Sequence, residues 1–183
     1  GSMIKWIKKA DGTWVYDYSI FDLYVNLAME SGINQQINCY SMVPVGNKFS
    51  WFDEKSSKII TMESLPGTKA YEDIWRTFLN DFKAHLQVKG WLAKTTIALD
   101  EREEEEMEKM FKFLKQAAPE LKISMAGFYY GKINSAIYDF SSNWRHVDSI
   151  SGNITESRRR AGLKTTYYVA CGIPKPNNFT FSP

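Results

Sequence analysis

Apolar positions along the chain keep two rhythms, one of helical spacing and one of short, nearly unbroken runs. Ile20, Leu23, Tyr24, Leu27 and Ala28 recur as one helical stripe, with Ser19 placed to cap its start and Gly32 to stop it. Tyr71, Ile74, Trp75, Phe78, Leu79, Phe82 and Leu86 form the longest stripe, closed by Gly90. Met107, Met110, Phe111 and Leu114 mark another, which ends before Pro119. The short runs over 36–42, 95–99, 122–128, 147–151 and 165–171 read as strands, the first ended by Pro44. Shorter helices are predicted over 135–144 and 155–161. Residues 48–62 alternate about the polar Asp53-Glu54-Lys55-Ser56-Ser57, the pattern of a hairpin with its turn.

Helices alternating with apolar strands predict a parallel sheet covered by helices, so the class is α/β. No glycine-rich strand-to-helix turn of the dinucleotide-binding kind is present. Polar and aromatic residues gather instead where strands end, at Tyr40, Asp100-Glu101, Tyr129-Tyr130, Ser151 to Asn153, and Gly172. This favours a TIM-type (β/α)8 barrel, whose chemistry sits at the C-terminal ends of its strands. A whole barrel takes roughly 250 residues, and the chain has 183. The expectation is therefore a partial barrel of five or six βα units with a hairpin insertion, residues 13–18 supplying the sixth strand. Such a piece is either a fragment or re-engineered, and its open edges predict a homodimer. Residues 1–3, Gly-Ser-Met, read as the scar of a cleaved tag, leaving 4–183 as one domain.

The formal charge of +2 gives no electrostatic basis for binding nucleic acid or an anionic membrane. The cluster Arg158-Arg159-Arg160 falls in a predicted helix and reads as a solvated face. No apolar run reaches the length of a membrane-spanning helix. Cys39 and Cys171 lie far apart in predicted strands without metal-ligand spacing, and His85 and His146 stand alone, so neither a metal nor a cofactor is expected. The 15% aromatic content suits a sugar-binding cleft and a large core equally.

Candidate chemistry lies in one pair of carboxylates. Asp53-Glu54 sits in a hairpin turn beside lysines and serines, where solvation explains it. Asp100-Glu101 instead follows directly on the apolar strand 95–99, where partial burial and mutual repulsion favour a carboxyl that holds its proton. Glycoside cleavage needs such an acid, normally with a second carboxylate as nucleophile or base. Adjacent residues on a strand point to opposite faces, so the standard pair is awkward. A substrate-assisted route is not, because there the sugar's own acetamido oxygen attacks. Glu103 to Glu106 are explained as an acidic helix start.

The run IALDER, the segments KISMAGFYY and WRHVDSISGN, and the ending YYVACGIPKPNNFTFSP resemble the catalytic barrel of bacterial glycoside hydrolase family 123, over about residues 14–183. The resemblance implies a retaining, substrate-assisted β-N-acetylgalactosaminidase acting on a glycan with terminal N-acetylgalactosamine, in a bacterial periplasm, at the cell surface or secreted. It implies Asp100 as the group that orients and polarises the acetamido group, and Glu101 as general acid and later base. Tyr40, Tyr129, Tyr130, Asn153 and Tyr168 are the candidate wall and hydrogen-bonding residues. The family pattern has a proline soon after Asp-Glu-Arg, where this chain has Glu103. Two readings from other classes stay open: an inactive or engineered barrel fragment that self-associates, and a carbohydrate-binding barrel without turnover.

Overall fold

A computed structural model describes residues 2–99, 101–150 and 152–169. The elements in chain order are β1 (Lys5–Lys8), β2 (Trp14–Asp17), α1 (Ser19–Glu30), β3 (Ile37–Cys39), β4 (Lys48–Asp53), β5 (Lys58–Glu63), α2 (Lys69–Lys89) and β6 (Thr95–Leu99). There follow α3 (Glu104–Ala117), β7 (Lys122–Gly127), α4 (Gly131–Asn134), β8 (Asp139–Asn143), α5 (Gly152–Arg160) and β9 (Lys164–Tyr168). One sheet is mixed, in the order β2-β1-β4-β5, and the other has five strands in the order β3-β6-β7-β8-β9, all paired in parallel.

The expected partial (β/α)8 barrel is not formed. A barrel needs its first and last strands hydrogen-bonded in one ring. Here the strands divide between two sheets, and the parallel one stays open, with β3 and β9 as its edges among the described residues. Residues 13–18 do not supply a sixth parallel strand: β2 runs antiparallel to β1, Trp14 opposite Lys8. The reason is the short connection. Lys9 N–H reaches Thr13 O at 2.8 Å, Asp11 accepts from Thr13 N–H at 2.9 Å, and a turn this tight cannot make a parallel crossover.

Strand 95–99 and the hairpin form as the pattern predicts, and 122–128 forms as β7 with one residue fewer. Helix α2 buries its whole stripe from Tyr71 to Leu86 and ends at Gly90, whose φ of 70° supplies the left-handed stop. Residues 135–144 are not a helix. The helix ends at Asn134, and 139–143 alternates with Phe140 and Ser142 buried, which makes it a strand. The run at 147–151, expected as a strand, lies largely in the 3-10 turn Trp144–Ser149. Helix α1 faces the other way from its predicted stripe. Phe21 and Val25 are buried, while Leu23 is 70% exposed, because Phe21 finds aromatic neighbours in Phe82 at 5.5 Å and Trp91 at 6.2 Å.

The core lies between the parallel sheet and helices α2 and α3. Ile97, Leu99, Ile123, Met125 and Phe140 meet Leu79, Phe82, Leu86, Met107 and Leu114 there. Trp6 of β1 stacks on Phe78 of α2 at 4.7 Å, so the mixed sheet joins the same cluster. Burial of a side chain of this size contributes about 1.5–3 kcal/mol.

The opposite face of the parallel sheet is polar. Thr96 Oγ1 donates to Asn38 Oδ1 at 2.6 Å and lies 2.9 Å from Ser124 Oγ, so two buried hydroxyls and the amide oxygen of Asn38, from three neighbouring strands, satisfy one another. Gln36 Nε2 donates to Asp139 Oδ2 at 2.7 Å, and Lys164 Nζ donates to Gln36 Oε1 at 3.0 Å. Gln36 precedes β3 and Lys164 opens β9, so this contact joins the two edges of the sheet. In a flat five-stranded sheet those edges are about 19 Å apart, beyond the reach of two side chains. The sheet is therefore curled towards its polar face.

Candidate active site

All five residues of β6, Thr95–Leu99, are buried, and the carboxylate pair follows directly in sequence. Asp100 lies outside the described residues. Glu101 is exposed, so the desolvation expected at a strand end is not supplied by its described surroundings. Its carboxylate Oε1 accepts the hydroxyl hydrogen of Tyr168, the last residue of β9. Three strand spacings separate β6 from β9, about 14 Å in a flat sheet, and the curl brings their ends together.

Gly127, which ends β7, forms the floor under Glu101. Its φ is 137°, and a Cβ added there would stand 3.1 Å from Glu101 Cγ and 3.7 Å from Glu101 Cα. A side chain larger than hydrogen is excluded by both the backbone conformation and the neighbour.

Arg102 ties the backbone at Glu101 to the segment after β3. Its Nη1 donates to the Glu101 carbonyl at 3.1 Å and its Nη2 to the Val43 carbonyl at 3.4 Å, in the segment after β3. The Tyr130 hydroxyl donates to the Arg102 carbonyl at 3.1 Å. Burial, then the charges of Glu103, Glu104 and Glu101, push the Tyr130 phenol above its ordinary range, so it stays a donor. Tyr130 thus braces the backbone beside Glu101.

The other candidates lie elsewhere. Tyr40, 62% exposed, lines a cavity of about 890 Å³ beside edge strand β3 with Trp6, Val25, Cys39 and Phe49. Glu101 does not line that cavity. Cys39 is a free thiol, pushed up to about 12 by burial, while Cys171 lies outside the described residues. Tyr129 and Asn153 do come together, in a pocket of about 230 Å³ shared with Ser135, Ser157 and Arg158. Glu101 does not line that pocket either. Of the predicted set, Glu101, Tyr168 and Tyr130 form one constellation.

The contrasting pair behaves as its turn predicts. Asp53 accepts from Ser56 N–H at 2.9 Å and Ser56 Oγ–H at 2.6 Å, which hold its carboxyl below the usual range. Glu54 pairs with Lys9 at 2.5 Å. At the start of α3, Glu105 pairs with Lys109 at 2.7 Å, as a helix surface does.

Three residues escaped the sequence reading: Gly127, Arg102 and Arg158. Gly127 carried the one available signal, a glycine closing an apolar strand. Arg158 corrects the expectation of a solvated basic face. Arg159 and Arg160 do sit at the surface against Glu156, each at 2.8 Å, but Arg158 is 3% exposed. Among the described residues no three His, Cys, Asp or Glu side chains gather as metal ligands, and no helix is long and apolar enough to cross a membrane.

An exposed carboxyl with a phenol donor at its side and a rigid floor can give and take a proton at a bound molecule. The family described as glycoside hydrolase 123, catalytic domain, matches residues 1–183. No curated protein is significantly similar to the chain. Among solved structures, the chain is similar to a family 123 glycoside hydrolase from Clostridium perfringens, studied for glycolipid glycan hydrolysis. The identity is 30% and the TM-score 0.85, over 95% of this chain and 33% of that one. The chain thus spans about a third of that relative's length.

Proposed function

Because the chain belongs to the family of glycoside hydrolase 123 catalytic domains, we propose that it removes a terminal β-linked N-acetylgalactosamine from a glycan, with retention and by substrate assistance. The observation that carries this reading is the seating of Glu101, held between the Tyr168 hydroxyl and Gly127 at the end of a buried strand. The relative's work on glycolipid glycans supports a glycan as substrate.

In the first step the acetamido oxygen of the sugar bonds to its anomeric carbon while the bond to the leaving oxygen breaks. Glu101 gives that oxygen its proton. Asp100 holds the acetamido N–H and balances the positive charge of the resulting oxazolinium ring. In the second step water adds to the anomeric carbon, Glu101 takes its proton, and the ring reopens with the original configuration. Two adjacent carboxylates suffice, since neither acts as nucleophile. Tyr168 stands beside the acid and can turn its hydroxyl from Glu101 to a sugar oxygen.

A chromogenic β-N-acetylgalactosaminide tests the reading. Glu101→Gln should abolish turnover of a substrate with a poor leaving group, and Asp100→Asn should lower it by about 10²-fold or more. Equal rates in all three proteins would sink it. The exposure of Glu101 favours one rival, a domain that binds the sugar without turnover. Binding of an N-acetylgalactosamine thiazoline with no hydrolysis would establish that rival.

A further inference from the structure

We infer that Arg158 is the positioning residue of the contact between Tyr168 and Glu101. The guanidinium is nearly sealed from solvent, 3% exposed, and it spans two segments. Its Nε donates to Thr165 Oγ1 at 2.8 Å. Its Nη2 donates to the Lys164 carbonyl at 2.7 Å and the Ile137 carbonyl at 3.0 Å, and its Nη1 to the Asn134 carbonyl. The carbon at its centre lies 5.7 Å from the Phe140 ring.

A buried charge is unfavourable unless its donors are matched. Here they are matched by three backbone carbonyls and the Thr165 hydroxyl, which a flexible surface could not hold in place. The planar fork fits this task, and the single ammonium of a lysine does not.

What the fork holds are the segment that reaches Glu101 and the one that reaches Arg102 beside it. Lys164 and Thr165 open β9, an edge strand paired only with β8 among the described residues. An edge strand that slips by one residue turns every side chain to the other face. Tyr168, four residues on, meets Glu101 only in the observed register. Asn134 and Ile137 close the segment that begins at Tyr130, whose hydroxyl braces Arg102. One side chain on α5 therefore sets both the strand carrying Tyr168 and the loop carrying Tyr130. Its importance for turnover rests on the reading of Glu101 as the acid, whereas its geometric role does not.

Tyrosine labelled with 13C at Cζ reports the contact directly. The Tyr168 signal is assigned by Tyr168→Phe, and Glu101→Gln gives the shift that accompanies loss of the carboxylate. Arg158→Lys should move the Tyr168 signal in that same direction and leave buried Tyr71 in place. Thr165→Val, which keeps the guanidinium and removes one acceptor, should do the same to a smaller extent and decides the matter if Arg158→Lys does not fold. On the chromogenic substrate, kcat per folded molecule should fall about 10-fold in Arg158→Lys with KM nearly unchanged. In a Tyr168→Phe background the same substitution should add less than about twofold, because the two residues act through one contact. An unmoved Tyr168 signal in the folded variants, or a full 10-fold loss in the Tyr168→Phe background, overturns the inference. A moved signal in a protein that hydrolyses nothing supports the positioning role and refutes the glycosidase reading instead.

Discussion

Gly127 and Glu101 sit so close that a single methyl group on the glycine would lie 3.1 Å from the glutamate's Cγ. Gly127→Ala must therefore either push Glu101 aside or distort β7, and its φ of 137° is unfavourable for alanine besides. The expected outcome is a loss of kcat of at least about 10-fold, with a stability loss of about 1–3 kcal/mol. Chromogenic turnover and urea unfolding of the same variant measure the two effects side by side.

Tyr168→Phe removes the donor and keeps the ring. It should lower kcat by about 10- to 100-fold while changing unfolding free energy by less than about 1 kcal/mol, since the contact is exposed. A normal kcat would show that the hydroxyl is not needed where it stands.

The core prediction concerns Phe82, which is 1% exposed and stacks on Phe78 at 5.3 Å. Phe82→Ala should destabilise the protein by about 3–5 kcal/mol. Ile59, 73% exposed, is the control, and Ile59→Ala should stay within about 0.5 kcal/mol.

Alkaline pH should destabilise the fold in two stages. Cys39 is pushed up to about 12 by burial, against about 8.5 in an unfolded chain. A raised folded value means that stability is fully present below the unfolded value and is lost as pH rises above it. The first decline should therefore begin near pH 8.5. Tyr16, Tyr18 and Tyr71 are all raised, chiefly by burial, and add a steeper decline above about pH 10. Denaturant titrations from pH 7 to 11 measure this, and Cys39→Ala should remove the first stage and leave the second.

How much of this was legible in the sequence depended on whether local pattern or distant contact made the decision. Helix α2 was legible because its seven buried residues keep one stripe and Gly90 ends it. Helix α1 misled because apolar residues occupy more than one side, and the choice of face fell to Phe82 and Trp91, far along the chain. Strand β8 was misread as part of a helix over 135–144, because its alternation is short and polar, with only Phe140 and Ser142 turned inward between Asp139, Ser141 and Asn143. The barrel expectation failed because helix and strand alternation fixes a parallel arrangement but not its closure. Glu101 was found from its place after a buried strand. Tyr168 was among the candidates, but its contact with Glu101 was not legible because it depends on the curl of the sheet; Gly127, on the neighbouring strand β7, was not singled out, and Arg158 was concealed among arginines that do face solvent.

The contact between Lys164 and Gln36 spans 128 residues of sequence, and that between Tyr168 and Glu101 spans 67. Neither can form on a growing chain until the residues of β9 have been made. The order of synthesis therefore delivers β6, β7 and β8, with Glu101, before the phenol of Tyr168. Because closure over long separations is slow, β6, β7 and β8 can pair before this contact forms, so Tyr168's contact with Glu101 follows the assembly of those strands rather than starting it.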